Sequence, residues 1–318
     1  MSKLSVVDLA LSVPVWLAAT LLRMLRRRGV GDFRRCKSVL DAAGAFPLID
    51  HYYDPYIRIE EIDSGLDACR SLPGIDWNED RQLAELAALN YSDELREIPL
   101  NPTETSEPEF YFNNQMFGPG SADIYYSMIR KYKPRRIVEI GCGKSTIIAQ
   151  KAIAANLEDE PSAQCTHICV EPFEQPWLES LPVEVIRARV ETLDVKFFEE
   201  LQAGDILFID SSHTVRPGGD VLFEYLEILP RLKQGVLIHI HDIFSPQDYP
   251  KSWFEMGILW QEQYIVEAFL SFNRQFEIVL ALNWLHLFHS GALHGCCPSL
   301  PNAPKSDRGP SSLWLQRS

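Results

Sequence analysis

Apolar and polar positions follow three regimes along this chain. Residues 4–22 (LSVVDLALSVPVWLAATLL) are almost continuously apolar, and their polar members Ser5, Asp8, Ser12 and Thr20 are separated by three, four and eight positions. That spacing places them on one face of a helix, a face continued by Arg23, Arg26 and Arg27. Residues 39–118 are mixed and rich in Pro, Tyr and Asp. Within them, 72–89 carries a helix start, with Asp76 or Asn78 as N-cap ahead of Leu83, Leu86 and Leu89. Residues 101–109 (NPTETSEPE) read as a polar loop.

From residue 119 onward the pattern alternates. A helix over 121–132 stops before Pro134 and is followed by a strand at 136–140 and a helix at 145–157. Strands at 166–171 and 183–188 lead to a helix near 194–202 and a strand at 205–210. A helix near 219–232, a strand at 235–242 and a helix near 258–271 follow. The chain closes with strands at 276–282 and 311–316. Short apolar strands separated by helices predict βαβ units with right-handed crossovers, hence an α/β fold around a mostly parallel sheet. The last two strands, with no helix predicted between them, are expected to form an antiparallel edge. Residues 284–310 read as a long loop, either a lid or a poorly ordered connection. No repeat is evident. The expected organisation is an apolar and basic helix at 1–38, a cap region at 39–118 and a main domain at 119–318.

Charge changes the picture at the amino terminus. The 318 residues carry a formal net charge of −14, which argues against a protein that coats nucleic acid. Residues 1–38 nevertheless hold eight basic side chains against Asp8 and Asp32, so they carry +6 and the remainder −20. Nineteen apolar residues just reach across a bilayer, but Asp8 and Pro14 count against a spanning helix. A secretory signal fits poorly, because the arginines follow the apolar run. Three arrangements remain for residues 4–28: a helix in the membrane interface with arginines at anionic head groups, a helix packed on the protein's own body, or a true span. Seven cysteines, with no CxxC pair, suggest reduced thiols and a cytoplasmic protein, peripheral to or anchored at the inner face of the membrane if the helix binds lipid.

The most informative stretch is Val138-Glu139-Ile140-Gly141-Cys142-Gly143-Lys144-Ser145-Thr146. GKST before a helix suggests a P-loop, but the glycine required five residues before the Gly-Lys pair is Val138, inside a strand. A dinucleotide turn needs a third glycine where Thr146 stands. Glu139, two residues before Gly141, is placed to accept a hydrogen bond from a ligand ammonium, and the glycines allow close backbone approach.

These residues resemble the class I S-adenosylmethionine-dependent methyltransferases, over roughly residues 110–316. Glu139, Gly141 and Gly143 match the family's first motif, with Ser145 where a third glycine is often found. The resemblance implies S-adenosylmethionine as cofactor, Glu171 at the end of the second strand as acceptor of the ribose hydroxyls, and Glu191 near the adenine. Asp210 would supply the fourth motif. DSSH (210–213), HIHDIFSPQDYP (239–250), FYFNNQMF (110–117) and SSLWLQR are similar to a bacterial branch with small-molecule acceptors, related to cephalosporin-hydroxylase-type proteins.

Methyl transfer is an in-line displacement from a sulfonium, so positioning dominates and a hydroxyl acceptor also needs a base. His213, His241 and Asp242 lie at strand ends on the expected rim, with His213 the first candidate base and His241 the second. Some family members hold Mg²⁺ with two Asp and an Asn. Asp210 and Asp242 match the acids, but Ile243 stands in the Asn position, so Mg²⁺ is possible in a mixed carboxylate–imidazole site but is not predicted. Phe244 and Tyr249 are expected to wall the pocket, whereas Trp253, Trp260, Tyr264 and Phe269 have the spacing of core aromatics. The alternatives are a Rossmann-like oxidoreductase or hydroxylase relative and a non-catalytic binder of S-adenosylmethionine.

Overall fold

Strands that are apolar along their whole length must be covered on both faces, and seven of them form one sheet in the computed structural model. The structure describes residues 3–56, 58–62, 65–103, 108–173, 175–302 and 309–318, with side chains from residue 6. The strands are β1 (Arg136–Ile140), β2 (Thr166–Val170), β3 (Glu184–Ile186), β4 (Ile206–Ile209), β5 (Leu237–Ile240), β6 (Phe276–Ala281) and β7 (Leu313–Arg317). Their order is 3-2-1-4-5-7-6. The first five are parallel, and β7 lies antiparallel between β5 and β6. The closing pair β6–β7 is antiparallel and ends the sheet, as expected, with β7 on the inner side and β6 at the edge. Strand order reverses between β1 and β4, the place where open α/β sheets leave a ligand crevice.

The chain divides into two compact units, residues 1–65 and 66–318. The first contains the helices α1 (Lys3–Arg28) and α2 (Arg34–Ala43). The second begins with α3 (Glu79–Ala87) and α4 (Ser92–Arg96). Leu86, Leu95, Phe110, Phe112 and Phe117 are buried in the same core as the sheet. Residues 66–118 thus belong to the body of the second unit, and the boundary expected near residue 118 does not divide the fold.

Local sequence accounts for the helices next to the sheet. α5 (Ser121–Tyr132) starts where Asp123 accepts from the Gly120 N–H at 2.8 Å, and it ends at Lys133 in the left-handed region just before Pro134. α6 (Lys144–Asp159) starts where the Gly143 N–H donates to Thr146 Oγ1 at 3.1 Å. Buried Arg130 ties α5 to its neighbours, donating to Glu94, Asn156 and Asp159. The helix expected near 219–232 is one α-helical turn, α7 (Asp220–Phe223), followed by a π-helical turn at Glu224–Ile228 and a 3₁₀ turn at Leu229–Arg231. The segment near 194–202 is 3₁₀ (Val195–Glu200).

α8 (Lys251–Glu255) and α9 (Glu262–Leu270) fill the stretch before β6. The loop expected over 284–310 is instead largely helical, with α10 (Leu282–Phe288), α11 (Ser290–Cys296) and a 3₁₀ turn at Leu300–Asn302. Leu282 and Leu285 share one face by their i,i+3 spacing and are fully buried, so a helix buries them where a loop would not. Residues 303–308 of that stretch lie outside the described residues.

Phe208 occupies the centre of the core, fully buried on β4 against Phe117, Tyr125 and His239. Truncating it opens a cavity that so densely packed a site cannot refill. Phe208→Ala is expected to destabilise the second unit by about 3–5 kcal/mol in urea unfolding; a loss below about 1 kcal/mol would mean the core relaxes around the gap.

Candidate active site

The loop after β1 is pinned from two sides. Gly141 N–H donates to the Val170 carbonyl of β2 at 3.1 Å, and Asp210 N–H, leaving β4, donates to the Ile140 carbonyl at 2.9 Å. Gly141 has φ +77°, and a Cβ there would fall on the Asp210 carbonyl oxygen, far inside contact distance. At Gly143 a Cβ would meet only Met116 Cε, at 3.8 Å, so the second glycine faces open space where a ligand can approach. Lys144 turns away, donating to the Glu109 carbonyl at 2.6 Å and lying over the Tyr111 ring, which removes the one side chain a P-loop would need.

Glu139 does not face that space. It is fully buried, and its oxygens accept from Ser145 Oγ at 2.5 Å and Thr146 Oγ1 at 3.1 Å and meet His167 Nε2 at 2.7 Å. Glu139 and Ser145, both expected at the cofactor, instead lock the first turn of α6 onto β1. Burial disfavours charge on His167, but hydrogen bonds to Cys169 and Glu139 outweigh it and lift the imidazole to about 10.

Glu171 follows β2 and accepts from the Cys142 N–H at 3.2 Å and the Phe173 N–H at 2.9 Å, which sets its carboxylate against the glycine loop. Glu191 sits after β3 on the turn Val190–Thr192, beside Arg189 at 3.5 Å. Beneath the loop, Glu139, Cys142 and Cys169 bring donor atoms within 4.8 Å of one another.

A second cluster forms where β4 and β5 end. His213 Nδ1 meets Glu262 Oε2 at 2.6 Å, and its Nε2 lies 3.2 Å from Asp210 Oδ1 and 3.8 Å from Asp242 Oδ2. Burial works against a charged His213, yet the hydrogen bonds to Asp210 and Glu262 raise it well above the usual histidine range. Both ring nitrogens are engaged. The first-choice base thus turns both ring nitrogens to carboxylates and neither to an acceptor.

His241 differs. Its Nδ1 is buried, without an aligned hydrogen bond, 3.4 Å from Asp210 Oδ1 and 3.5 Å from Asp242 Oδ1. Burial lowers it, and the charges of Asp242 and Asp210 raise it above the usual value. The Asp210 and Asp242 side chains are 24% and 14% exposed against 5% for each histidine, so the carboxylates face outward. His213 and Asp242 both have φ +56°, a strained region for non-glycine residues that is typical of functional loops.

Asp210, His241 and Asp242 form a three-donor group within 4.8 Å. The case against a metal rested on Ile243, which is buried in the core. A third donor comes instead from His241, on the strand itself. His239, on the same strand, is a core residue: fully buried, stacked on Trp314 at 4.5 Å, and held neutral because burial pushes it well below its ordinary value.

Of the aromatics, Trp260 lies tilted against His213, ring centres 4.2 Å apart, and joins Trp253 and Tyr249 in one group, with Phe244 against Trp253. Phe269 packs on Tyr225 and Phe276 in the core. Sequence reasoning missed Glu262, which holds His213 and accepts from Tyr225 at 2.8 Å. It also missed His167. Glu262 carries no motif signal; His167 alone had one, as a histidine in an otherwise apolar strand.

The His167 shift fixes a direction. A pKa of about 10 in the fold, against 6.5 free, adds stability that is complete below pH 6.5 and is lost as pH rises through 10. His167→Leu is expected to cost on the order of 3 kcal/mol at pH 7, since it strands a buried carboxylate. Its thermal unfolding should also vary less between pH 7 and 10 than that of the unsubstituted protein. Parallel pH profiles would refute the pairing.

Residues 138–243 match the family model described as a methyltransferase domain. A protein of unassigned function from Archaeoglobus fulgidus is 29% identical over 163 residues, 48% of this chain and 72% of that protein. Among solved structures, MycE methyltransferase from the mycinamycin biosynthetic pathway, in complex with Mg, S-adenosylhomocysteine and mycinamycin VI, is 19% identical. That match covers 37% of this chain and 31% of MycE, with a TM-score of 0.26. A provisionally assigned methyltransferase from Thermobifida fusca is 10% identical, covering 65% of this chain and 84% of that one, with a TM-score of 0.40. The chain spans less than half the length of the MycE structures it matches. Likeness at this level leaves the assignment to the sequence match and to the motifs it encloses. Residues 138–243 are thus similar to a methyltransferase domain, over about a third of the chain.

Proposed function

We propose that the protein methylates a hydroxyl of a small-molecule acceptor, with the acceptor seated against Asp210 and Asp242 at the ends of β4 and β5. The observation that carries this reading is the outward-facing carboxylate pair backed by two buried histidines, one residue away from the glycine loop: Asp210 lends its carbonyl to the contact with Gly141 and its carboxylate to the cluster. Glu171 and the open side of Gly143 suit the diol and the close backbone approach of S-adenosylmethionine.

The acceptor hydroxyl would donate to Asp242 or Asp210, and its proton would pass into the Asp242–His241 pair as the methyl group arrives. His213 is a positioning residue in this scheme. Its charge, fixed by Glu262, holds Asp210 ionised and in place; that carboxyl lies well below its ordinary range because the histidines outweigh its burial. Trp260 covers the His213 ring and keeps water from it.

A divalent cation would be held by Asp210, His241 and Asp242, whose donor atoms lie within 4.8 Å of one another, and it would then take the His241 nitrogen that otherwise receives the proton. When bound, such an ion supplies charge that lowers the pKa of an acceptor hydroxyl.

Calorimetry with S-adenosylhomocysteine is expected to show binding that Glu171→Ala weakens about ten- to hundredfold, the scale of lost charge-assisted hydrogen bonds. Asp242→Asn is expected to leave that affinity within about twofold, since the side chain lies on the acceptor side, while abolishing turnover of hydroxylated acceptors. No binding of S-adenosylhomocysteine would overturn the cofactor assignment. Full turnover by Asp242→Asn would overturn the acceptor site.

A further inference from the structure

Residues 6–21 of the helix α1 are all exposed. Leu9, Leu11, Val13, Val15, Trp16 and Leu17 are each more than half exposed. Successive residues advance by about 100° around a helix, so Leu9, Val13, Trp16 and Leu17 cover one side and Leu11 and Val15 the opposite one. Among the described side chains of residues 6–21, only Asp8, Ser12 and Thr20 interrupt the apolar surface. A helix that lies in a membrane interface keeps a broad charged face, whereas one that is apolar nearly all round belongs inside a protein core or across a bilayer. No core covers this one.

Two further observations fit a hydrocarbon environment. The hydroxyls of Ser12 and Thr20 donate back to the carbonyls of Leu9 and Trp16, each at 2.8 Å, so neither needs water. The 19 residues from Leu4 to Leu22 rise about 28 Å at ~1.5 Å per residue, against ~30 Å of bilayer hydrocarbon. Asp8 lies near one end of that run, not at the midplane.

The other end is built for head groups. Arg23, Arg27 and Arg28 are exposed in the last turns of α1, and Arg34 and Arg35 follow on α2. Arg26 turns instead to Asp54, donating to Oδ2 at 3.2 Å, and its guanidinium lies 5.0 Å from the centre of the Phe46 ring. That bridge brings residues 46–54 back to the arginine end of the helix, where Tyr52 and Tyr53 are 93% and 83% exposed. Exposed tyrosines beside a cluster of arginines have the chemistry of the membrane–water boundary, and basic residues concentrate on the cytoplasmic side of spanning helices.

We propose that α1 crosses a lipid bilayer once, with its arginine end and the Tyr52–Tyr53 pair in the cytoplasmic head-group layer and residues 66–318 on the cytoplasmic side. The full chain, expressed in bacteria, is expected in the membrane fraction, resistant to alkaline carbonate and released by non-ionic detergent. In a Cys69→Ser background, a membrane-impermeant maleimide should label exposed Cys36 in inverted vesicles and not in intact spheroplasts. Leu11→Arg with Leu17→Arg should move the chain to the supernatant without changing the thermal transition of the second unit, which shows that folding is intact. Four results would overturn the proposal: unsubstituted chain in the supernatant, release by carbonate or high salt, labelling of Cys36 from outside, or a mature chain that lacks residues 1–28.

Discussion

A carboxylate shut off from water must find its hydrogen bonds inside the protein, and Glu139 finds them at Ser145, Thr146 and His167. The partners come from two places: the first turn of α6 supplies two, and β2 supplies the third. Satisfying one buried charge therefore fixes the angle at which the chain leaves β1, the start of the helix that follows and the neighbouring strand. The glycine loop is suspended between these points, so the opening beside Gly143 is shaped before any ligand arrives. Preorganisation of this kind lowers the ordering cost of binding.

The acid–histidine cluster on the far side of the loop applies the same principle to a different end. His213 is gripped by Glu262 behind and Asp210 in front, which leaves the carboxylates, not the rings, as the outward surface. Left-handed backbone at His213 and Asp242 is costly and persists because the packing of Trp260 and the buried ion pairs over-determine it. The π-helical turn at Glu224–Ile228 sits against this cluster, since Tyr225 donates to the same Glu262.

Much of the sheet was legible in the sequence because strands buried on both faces write themselves as unbroken apolar runs, and β1, β2, β4 and β5 fall within two residues of where those runs end. The glycine motif was legible too, for the steric reason that only glycine fits beneath the Asp210 carbonyl. What was hidden depends on pairing across sequence distance. Glu262 lies 49 residues from His213 and carries no pattern that marks it. Glu139 reads as a ligand acceptor by position, and only the arrival of His167 from β2 turns it inward. The helices α10 and α11 were masked by His, Gly and Cys, whose weak propensities are overridden by the burial of Leu282, Leu285 and Leu293.

Asp210 has two allegiances. In the proposed reaction its main chain borders the methyl-donor site, since its carbonyl is what forbids a side chain at position 141. Its carboxylate would belong to the surface that meets the methyl acceptor. In that reading the two halves of the reaction are aligned through the covalent frame of a single residue. The segment from Phe244 to Trp260, which supplies the aromatic surroundings, lies outside that frame. New acceptor shapes can be accommodated by rewriting those residues while the line of approach between donor and acceptor stays as it is. The fold separates what must be constant from what is free to diverge at one peptide unit.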